Sequence, residues 1–163
     1  MPGENKSRQE YVHELYTQYA PALLAYGCSL LANRAAAEDA LHQVFLKLLS
    51  RGVALPAEPR PYLFRAMRNA ALNHRRAEVR HVALEPLEHW MVAPGKQLED
   101  GLTIQAALCA LPDEQREIVV LRVWCGLAFD EVAGLVGASI NTVASRYRYA
   151  LGRLREVVAK ESK

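Results

Sequence analysis

One stretch, Leu121 to Arg155, restricts the fold more than any other part of the chain. It reads L-R-V-W-C-G-L-A-F-D-E-V-A-G-L-V-G-A-S-I-N-T-V-A-S-R-Y-R-Y-A-L-G-R-L-R. Phe129 to Val136 predicts a short helix whose small Ala133 lets a second helix approach, and Gly137 suits the left-handed backbone of a helix C-terminus. Ser139 then offers an N-cap to the next helix. From Ile140 the apolar residues Ile140, Val143, Tyr147, Ala150, Leu151, Leu154 and Val158 form a stripe at the helical period, without strand-like alternation. The opposite face carries Asn141, Thr142, Ser145, Arg148 and Tyr149, with Arg146 and Arg153 at its edge. A helix, a tight glycine turn and a second helix with a polar, cationic face describe a helix-turn-helix. Its second helix is of the kind that enters a major groove, where Asn, Ser and Arg pair with base edges and phosphates. An ordinary bundle helix also has a solvated charged face. The spacing of Ala133, Gly137 and Val143, each serving close helix packing, favours the first reading.

A chain of 163 residues forms one domain or two small ones, and two would each have a thin core. Apolar residues make up 51%, which predicts a packed protein. The net charge of +2 says little about nucleic acid, but its distribution says more. Between positions 65 and 80, Arg65, Arg68, Arg75, Arg76 and Arg80 face Glu78 alone, and from Arg146 onward Arg146, Arg148, Arg153, Arg155, Lys160 and Lys163 face Glu156 and Glu161. The intervening chain is acidic, through Glu85, Glu88, Glu99, Asp100, Asp113, Glu114, Glu117, Asp130 and Glu131. Two separate basic elements imply two contacts with one polyanion.

Chemistry of other kinds finds no support. Cys28, Cys109 and Cys125 are far apart and form no C-x-x-C, so they read as buried, reduced thiols. His13, His42, His74, His81 and His89 show no metal-ligand spacing, and no phosphate-binding glycine loop or nucleophile elbow occurs. No catalytic residue, metal or cofactor is assigned, and an enzyme is not expected. The polar N-terminus lacks a signal core and no apolar run is long enough for a membrane span, so a soluble, cytoplasmic protein is expected.

In chain order, Tyr11, Leu15, Tyr19, Leu23, Tyr26 and Leu30 recur at helical spacing, and Pro21 either opens a new helix or kinks a long one. Asn33 caps a helix over 35–50, with Leu41, Val44, Phe45, Leu48 and Leu49 apolar and Glu38 and Asp39 in its first turn. Residues 51–61, with one glycine and three prolines, form a loop. Pro61 opens a helix over about 62–78. Leu63, Ala66, Met67, Ala70 and His74 fall on one side of it, and Arg65, Arg68, Arg75 and Arg76 on the other, beside Asn69. The following stretch to Gly101 reads as a linker with a short turn around Leu87 to Met91. Helices resume from Leu102 to Leu111, and from Pro112 to near Gly126. No strand is predicted, and the fold class is all-α.

Three stretches, in this order and spacing, resemble the sigma-70 family of bacterial sigma factors, in its small two-domain extracytoplasmic-function (ECF) group. A-E-D-A-L-H-Q-V-F-L-K-L-L, Ala37 to Leu49, is similar to the family's A-E-D-x-x-Q-E-x-F helix. P-Y-L-F-R-A-M-R-N-A-A-L-N-H-R-R, Pro61 to Arg76, is similar to its W-L-x-x-I-A-R-N-x-x-x-D-x-x-R helix. Leu111 to Arg146 resembles its L-P-x-x-x-R segment followed by E-I-A-x-x-L-G-x-x-x-G-T-V-x-S-R. The chain departs from these patterns at His42 and Gln43, at Tyr62 and Asn73, and at Asn141 and Ala144. Those changes bear on which promoter is read.

The resemblance implies two helical domains, region 2 over 8–80 and region 4 over 102–160, joined by a linker over 81–101. It further implies a promoter-specificity subunit whose partners are bacterial core RNA polymerase, at its β′ coiled coil and β flap, promoter DNA, and an anti-sigma factor that no residue here identifies. Glu38, Asp39, His42, Gln43 and Phe45 would then hold polymerase. Arg65, Arg68, Asn69, Asn73, Arg75, Arg76 and Arg80 would hold the −10 element, with the 50–60 loop shaping a pocket for an extruded base. Ser139, Asn141, Thr142, Ser145, Arg146, Arg148 and Tyr149 would read the −35 element. A stand-alone regulator binding duplex DNA through the same helix-turn-helix is the alternative reading.

Overall fold

The computed structural model describes residues 2–78 and 98–161. Helix α1, Pro2–Leu31, runs continuously through Pro21, so the proline opens no new helix. Pro21 and Thr17 are both exposed, so the carbonyl deprived of its amide lies toward water. Ala32 ends the helix with a left-handed φ of 51°, and extended Asn33 starts the next. The Asn33 side-chain oxygen accepts from the Ala36 amide at 3.0 Å, so the predicted cap of α2, Arg34–Leu49, is present. Because the helix begins at Arg34, Glu38 and Asp39 fall beyond its first turn, and Glu38 pairs with Arg34 instead at 3.1 Å.

Helix α3, Pro59–Glu78, starts earlier than the periodicity predicts, because both Pro59 and Pro61 fit a first turn whose amides have no intrahelical partners. Helix α4, Leu98–Ala110, begins inside the stretch read as linker, whose other residues, 79–97, lie outside the described residues together with the turn expected near Leu87. The helix predicted from Pro112 to Gly126 is interrupted. Its first part is α5, Asp113–Val119; Val120–Trp124 then widens into a π turn, closed by the Cys125 amide bonding to the Val120 carbonyl at 3.1 Å. The wider turn lets neighbours serve two cores, since Val120 and Leu121 are both fully buried but in different apolar clusters. Helices α6, Phe129–Val136, and α7, Ile140–Glu161, complete the chain, and the described residues include no strand.

The larger apolar cluster joins Leu23 and Tyr26 of α1, Leu41 and Phe45 of α2 and Leu63 and Met67 of α3 to Ile118, Leu121, Leu127, Val132 and Val143 of the C-terminal half. The smaller one seats Cys28 and Ala37 against Leu108, Val119, Val120 and Ala150. Helix α1 therefore contributes to both clusters, and the two halves pack against each other. Gly27 lies where α1 meets α2 and α3: a Cβ there would run into the Met67 methyl and come to 3.2 Å from the Ala37 Cβ. Only a residue without a side chain fits this crossing unless Met67 moves.

Candidate nucleic-acid interface

The helix-turn-helix is built by local rules. Glu131 folds back to accept from the Ala128 amide at 3.1 Å, starting α6. Gly137 ends α6 in the left-handed region, φ 74°, with its amide bonded to the Ala133 carbonyl at 3.0 Å. Ser139 Oγ accepts from the Thr142 amide at 3.1 Å and lies 2.9 Å from the Thr142 hydroxyl, so both side chains are engaged in capping α7. Val143 is buried in the crossing of the two helices. Facing away from it, Asn141, Arg148 and Tyr149 are exposed and Ser145 is half-buried; Tyr149 shows 71% of its surface. Arg146 is half-buried and paired with Glu114 at 3.4 Å.

One supporting residue escaped the sequence reading. The Arg122 guanidinium lies 4.2 Å from the Phe129 ring centroid and 5.7 Å from that of Tyr147, whose rings meet edge-on at 5.4 Å, while its Nη1 donates to the Leu127 carbonyl at 2.7 Å. It ties the start of α6 to the middle of α7. The aromatic pair 18 residues apart in the sequence was the available signal.

Helix α3 divides its polar residues between two faces. Arg65, Asn69 and Asn73 recur at four-residue spacing, all exposed, and line a cleft of about 1020 Å³ with Gln43 and Lys47 of α2 and Pro56, Ala57 and Glu58 of the loop. Arg76 is exposed one turn further on. Arg8 holds that loop: its guanidinium donates to the carbonyls of Leu48, Ser50 and Val53 at 2.8, 3.0 and 2.6 Å.

The other face of α3 meets α5. Arg68 Nε donates to Glu117 Oε1 at 2.8 Å, and the Tyr26 hydroxyl donates to the same oxygen at 2.6 Å. Burial alone opposes the Arg68 charge, but the hydrogen bond and charge of Glu117 together with Tyr26 outweigh it and hold the guanidinium above its ordinary range. Burial, reinforced by the charge of Glu117, pushes the Tyr26 phenol far above its ordinary value. Arg75 pairs with Asp113 at 2.8 Å, and Arg116 reaches the other Asp113 oxygen at 3.3 Å. Arg60, at the N-terminal end of α3, donates to the Gly126 carbonyl at 2.9 Å and pairs with Glu131 at 3.3 Å. Arg80 lies outside the described residues.

On α2, Asp39, His42 and Gln43 are exposed along one face, and Glu38 is half-buried. Phe45 is not on that face: it is 5% exposed and its ring stacks edge-on against Tyr16 at 5.0 Å, because its helical position points into the core. Leu46, 65% exposed, stands on the outer face instead. Burial pushes the Cys28 thiol up to about 11 and the Cys125 thiol up to about 12. Among the described residues no His, Cys, Asp or Glu group is arranged to hold a metal, and no helix is long and apolar enough to cross a membrane.

Comparison with known proteins bears on both halves. Residues 15–81 match the family model for sigma-70 region 2, and residues 101–154 match that for sigma-70 region 4. An ECF RNA polymerase sigma factor, SigE, from Mycolicibacterium smegmatis is 32% identical over 161 residues, covering 91% of this chain and 62% of its own length. The RNA polymerase sigma-E factor of Streptomyces avermitilis is 32% identical over 158 residues, covering 94% of this chain and 86% of the relative. In fold, the chain is similar to the sigma factor RpoE of Bartonella quintana, solved in complex with the anti-sigma factor NepR, with a TM-score of 0.76 at 24% identity over 93% of this chain and 98% of that one. It is also similar to CnrH in complex with the cytosolic domain of CnrY, with a TM-score of 0.66 at 19% identity over 93% and 90% of the two chains. With both regions matched in family order and relatives of that name over nearly its whole length, the chain belongs to the ECF group of the sigma-70 family, the non-enzymatic subunits that give RNA polymerase its promoter specificity.

Proposed function

We propose that the chain divides its promoter work as follows: residues 8–80 dock on core polymerase and capture the −10 element, residues 102–160 read the −35 element, and the acidic stretch 81–101 runs between them through the polymerase cleft. The observation that carries this reading is the cleft beside α3. Arg65, Asn69 and Asn73 line one wall, and the Arg8-anchored loop and α2 line the others. A cationic wall suits the backbone of a single strand, and an enclosed recess suits a base extruded from it.

The outer face of α2 is the proposed polymerase contact, through Asp39, His42 and Gln43, with Leu46 in the part first given to Phe45 and Glu38 at its edge. Polar groups around one exposed leucine match the apolar centre and polar rim of protein interfaces. In the −35 reader, Asn141, Ser145, Arg148 and Tyr149 carry the base and phosphate contacts, while Ser139 and Thr142 present α7 to the groove through their cap. Arg76 and Arg80 extend the cationic track of α3. The β′ coiled coil is assigned to region 2 and the β flap to region 4. An anti-sigma factor is a further proposed partner, on the precedent of the NepR complex.

The deciding experiment is transcription in vitro with this chain and bacterial core polymerase on a promoter library, with core enzyme alone as the control. Start sites that depend on the chain and share two upstream elements are expected. A chain that shifts duplex DNA unaided yet yields no dependent start sites would return the stand-alone regulator to first place.

A further inference from the structure

Three of the arginines assigned to promoter DNA end on carboxylates of one seven-residue helix. Arg68 is bound to Glu117, Arg75 to Asp113 and Arg146 to Glu114. Two come from the −10 helix and one from the −35 helix, so α5 reaches both DNA-facing elements at once. The pairs differ in setting. Glu117 is buried, and a single oxygen accepts from both Arg68 and Tyr26, so this pair fixes the register of α3 against α5. Asp113 and Glu114 are more than half exposed and add charge at the rim. Carboxylate and phosphate oxygens present the same acceptor geometry to a guanidinium fork, so an arginine held by one has fewer donors left for the other.

We infer that α5 acts as an internal competitor for promoter DNA: in the packed chain its carboxylates occupy Arg68, Arg75 and Arg146, and DNA engages those arginines only when the two halves part. The apolar cluster shared between the halves holds them together, through Ile118, Leu121 and Leu127 against Tyr26 and Phe64. The carboxylates make that packed state unreceptive to polyanions. A partner that separates the halves, as a subunit gripping each of them does, frees three guanidinium groups in one step. The inference rests on the assignment of α3 and α7 to DNA, and its test separates the two.

The test uses the full chain and a fluorescein-labelled single strand of about 20 nucleotides. The variant Asp113→Asn, Glu114→Gln, Glu117→Gln keeps side-chain size and the acceptor for Tyr26 while removing the three charges. A second variant, Glu10→Gln, Glu14→Gln, Glu156→Gln, changes net charge equally at exposed sites. Circular dichroism and urea midpoints establish that each variant is folded. The α5 variant is expected to bind the strand about five- to tenfold more tightly than the unmodified chain, with a salt dependence steeper by about two, as three newly available arginines imply. Equal gains in both variants would show a general field effect and overturn the inference.

Should the α5 variant prove unstable, a cross-link supplies the answer. In a Cys109→Ser background, Arg75→Cys and Asp113→Cys are joined by a reducible bismaleimide; Cys28 and Cys125 are buried thiols and react slowly. Transcripts that are lost on linking and return on reduction support the competitor, and full activity of the linked chain removes it. If the unmodified chain supports no start sites with core polymerase, it is the sigma assignment that has failed.

Discussion

Helices α3 and α7 each carry a row of arginines, yet the fold treats the two rows differently. On α3, Arg68 and Arg75 are turned onto carboxylates, and Arg68 belongs to a buried network with Tyr26 and Glu117. On α7, Arg148, Arg153 and Arg155 are exposed, and Arg146 reaches Glu114 only from the edge of the row. The difference lies in what faces them. Helix α3 packs against the N-terminal turn of α5, which is acidic, whereas the outer row of α7 faces water. An arginine on α3 thus has a structural use in the packed chain as well as a proposed ligand, and one on the outer row of α7 has only the ligand.

The sharpest way to break this contrast is to truncate one arginine from each row. Arg68→Ala leaves Glu117 buried with Tyr26 as its remaining partner, and stability should fall by about 3 kcal/mol. Arg148→Ala should change stability by less than about 0.5 kcal/mol. Urea midpoints of the two variants compare them directly, and equal losses would erase the distinction.

The next effect belongs to α7 alone. Asn141→Ala should leave folding intact and cost about 1–3 kcal/mol of discrimination at a single −35 base pair, read as relative transcript yield from a set of point-substituted promoters. Ser139→Ala acts on the same element by another route. Losing the bond from the Thr142 amide should cost about 1 kcal/mol of stability, and promoter strength should fall without a change of base preference.

The smallest effect concerns the exposed rim of α3. The Asp113 carboxyl is held below its ordinary value of 3.8, chiefly by the hydrogen bond from Arg75 against an opposing desolvation. A lowered carboxylate pKa contributes stability above the ordinary value and loses it as pH falls through the lower folded-state value. Asp113 is 56% exposed, so solvent screening keeps the contribution under about 0.5 kcal/mol. Unfolding of Asp113→Asn and the unmodified chain should therefore differ slightly near neutrality and converge below about pH 3. A gap that widens in acid would contradict the ion pair.

Legibility followed the range of the interaction. The cap at Asn33, the left-handed Gly137 and the cap at Ser139 depend on residues within four positions, and each could be read from the sequence. The two faces of α3 could not be told apart, because Arg68 and Arg75 take their roles from partners 49 and 38 residues away. Phe45 was misplaced for a related reason: apolar and family patterns mark it equally, and only the position of Tyr16 on another helix decides which way it faces. Leu46 was passed over because an exposed leucine has no periodic signature. Arg8, far from the loop it anchors, gave no signal at all.

The π turn at Val120–Trp124 has a consequence for how the chain tolerates change in length. A π turn holds about one residue more than the α turn it replaces, and each α-helical residue advances the chain by about 100°. Removing one residue here would restore ordinary winding while swinging everything downstream, α6 and α7 included, by more than a quarter revolution relative to α5. Leu121 and Leu127, buried 3% or less, would leave their cluster together with the amide bond that Leu127 makes to the Leu121 carbonyl. The segment therefore acts as a phase setting: side chains within it can be exchanged for others of similar volume, but their number cannot change without turning the reading helix away from the rest of the molecule.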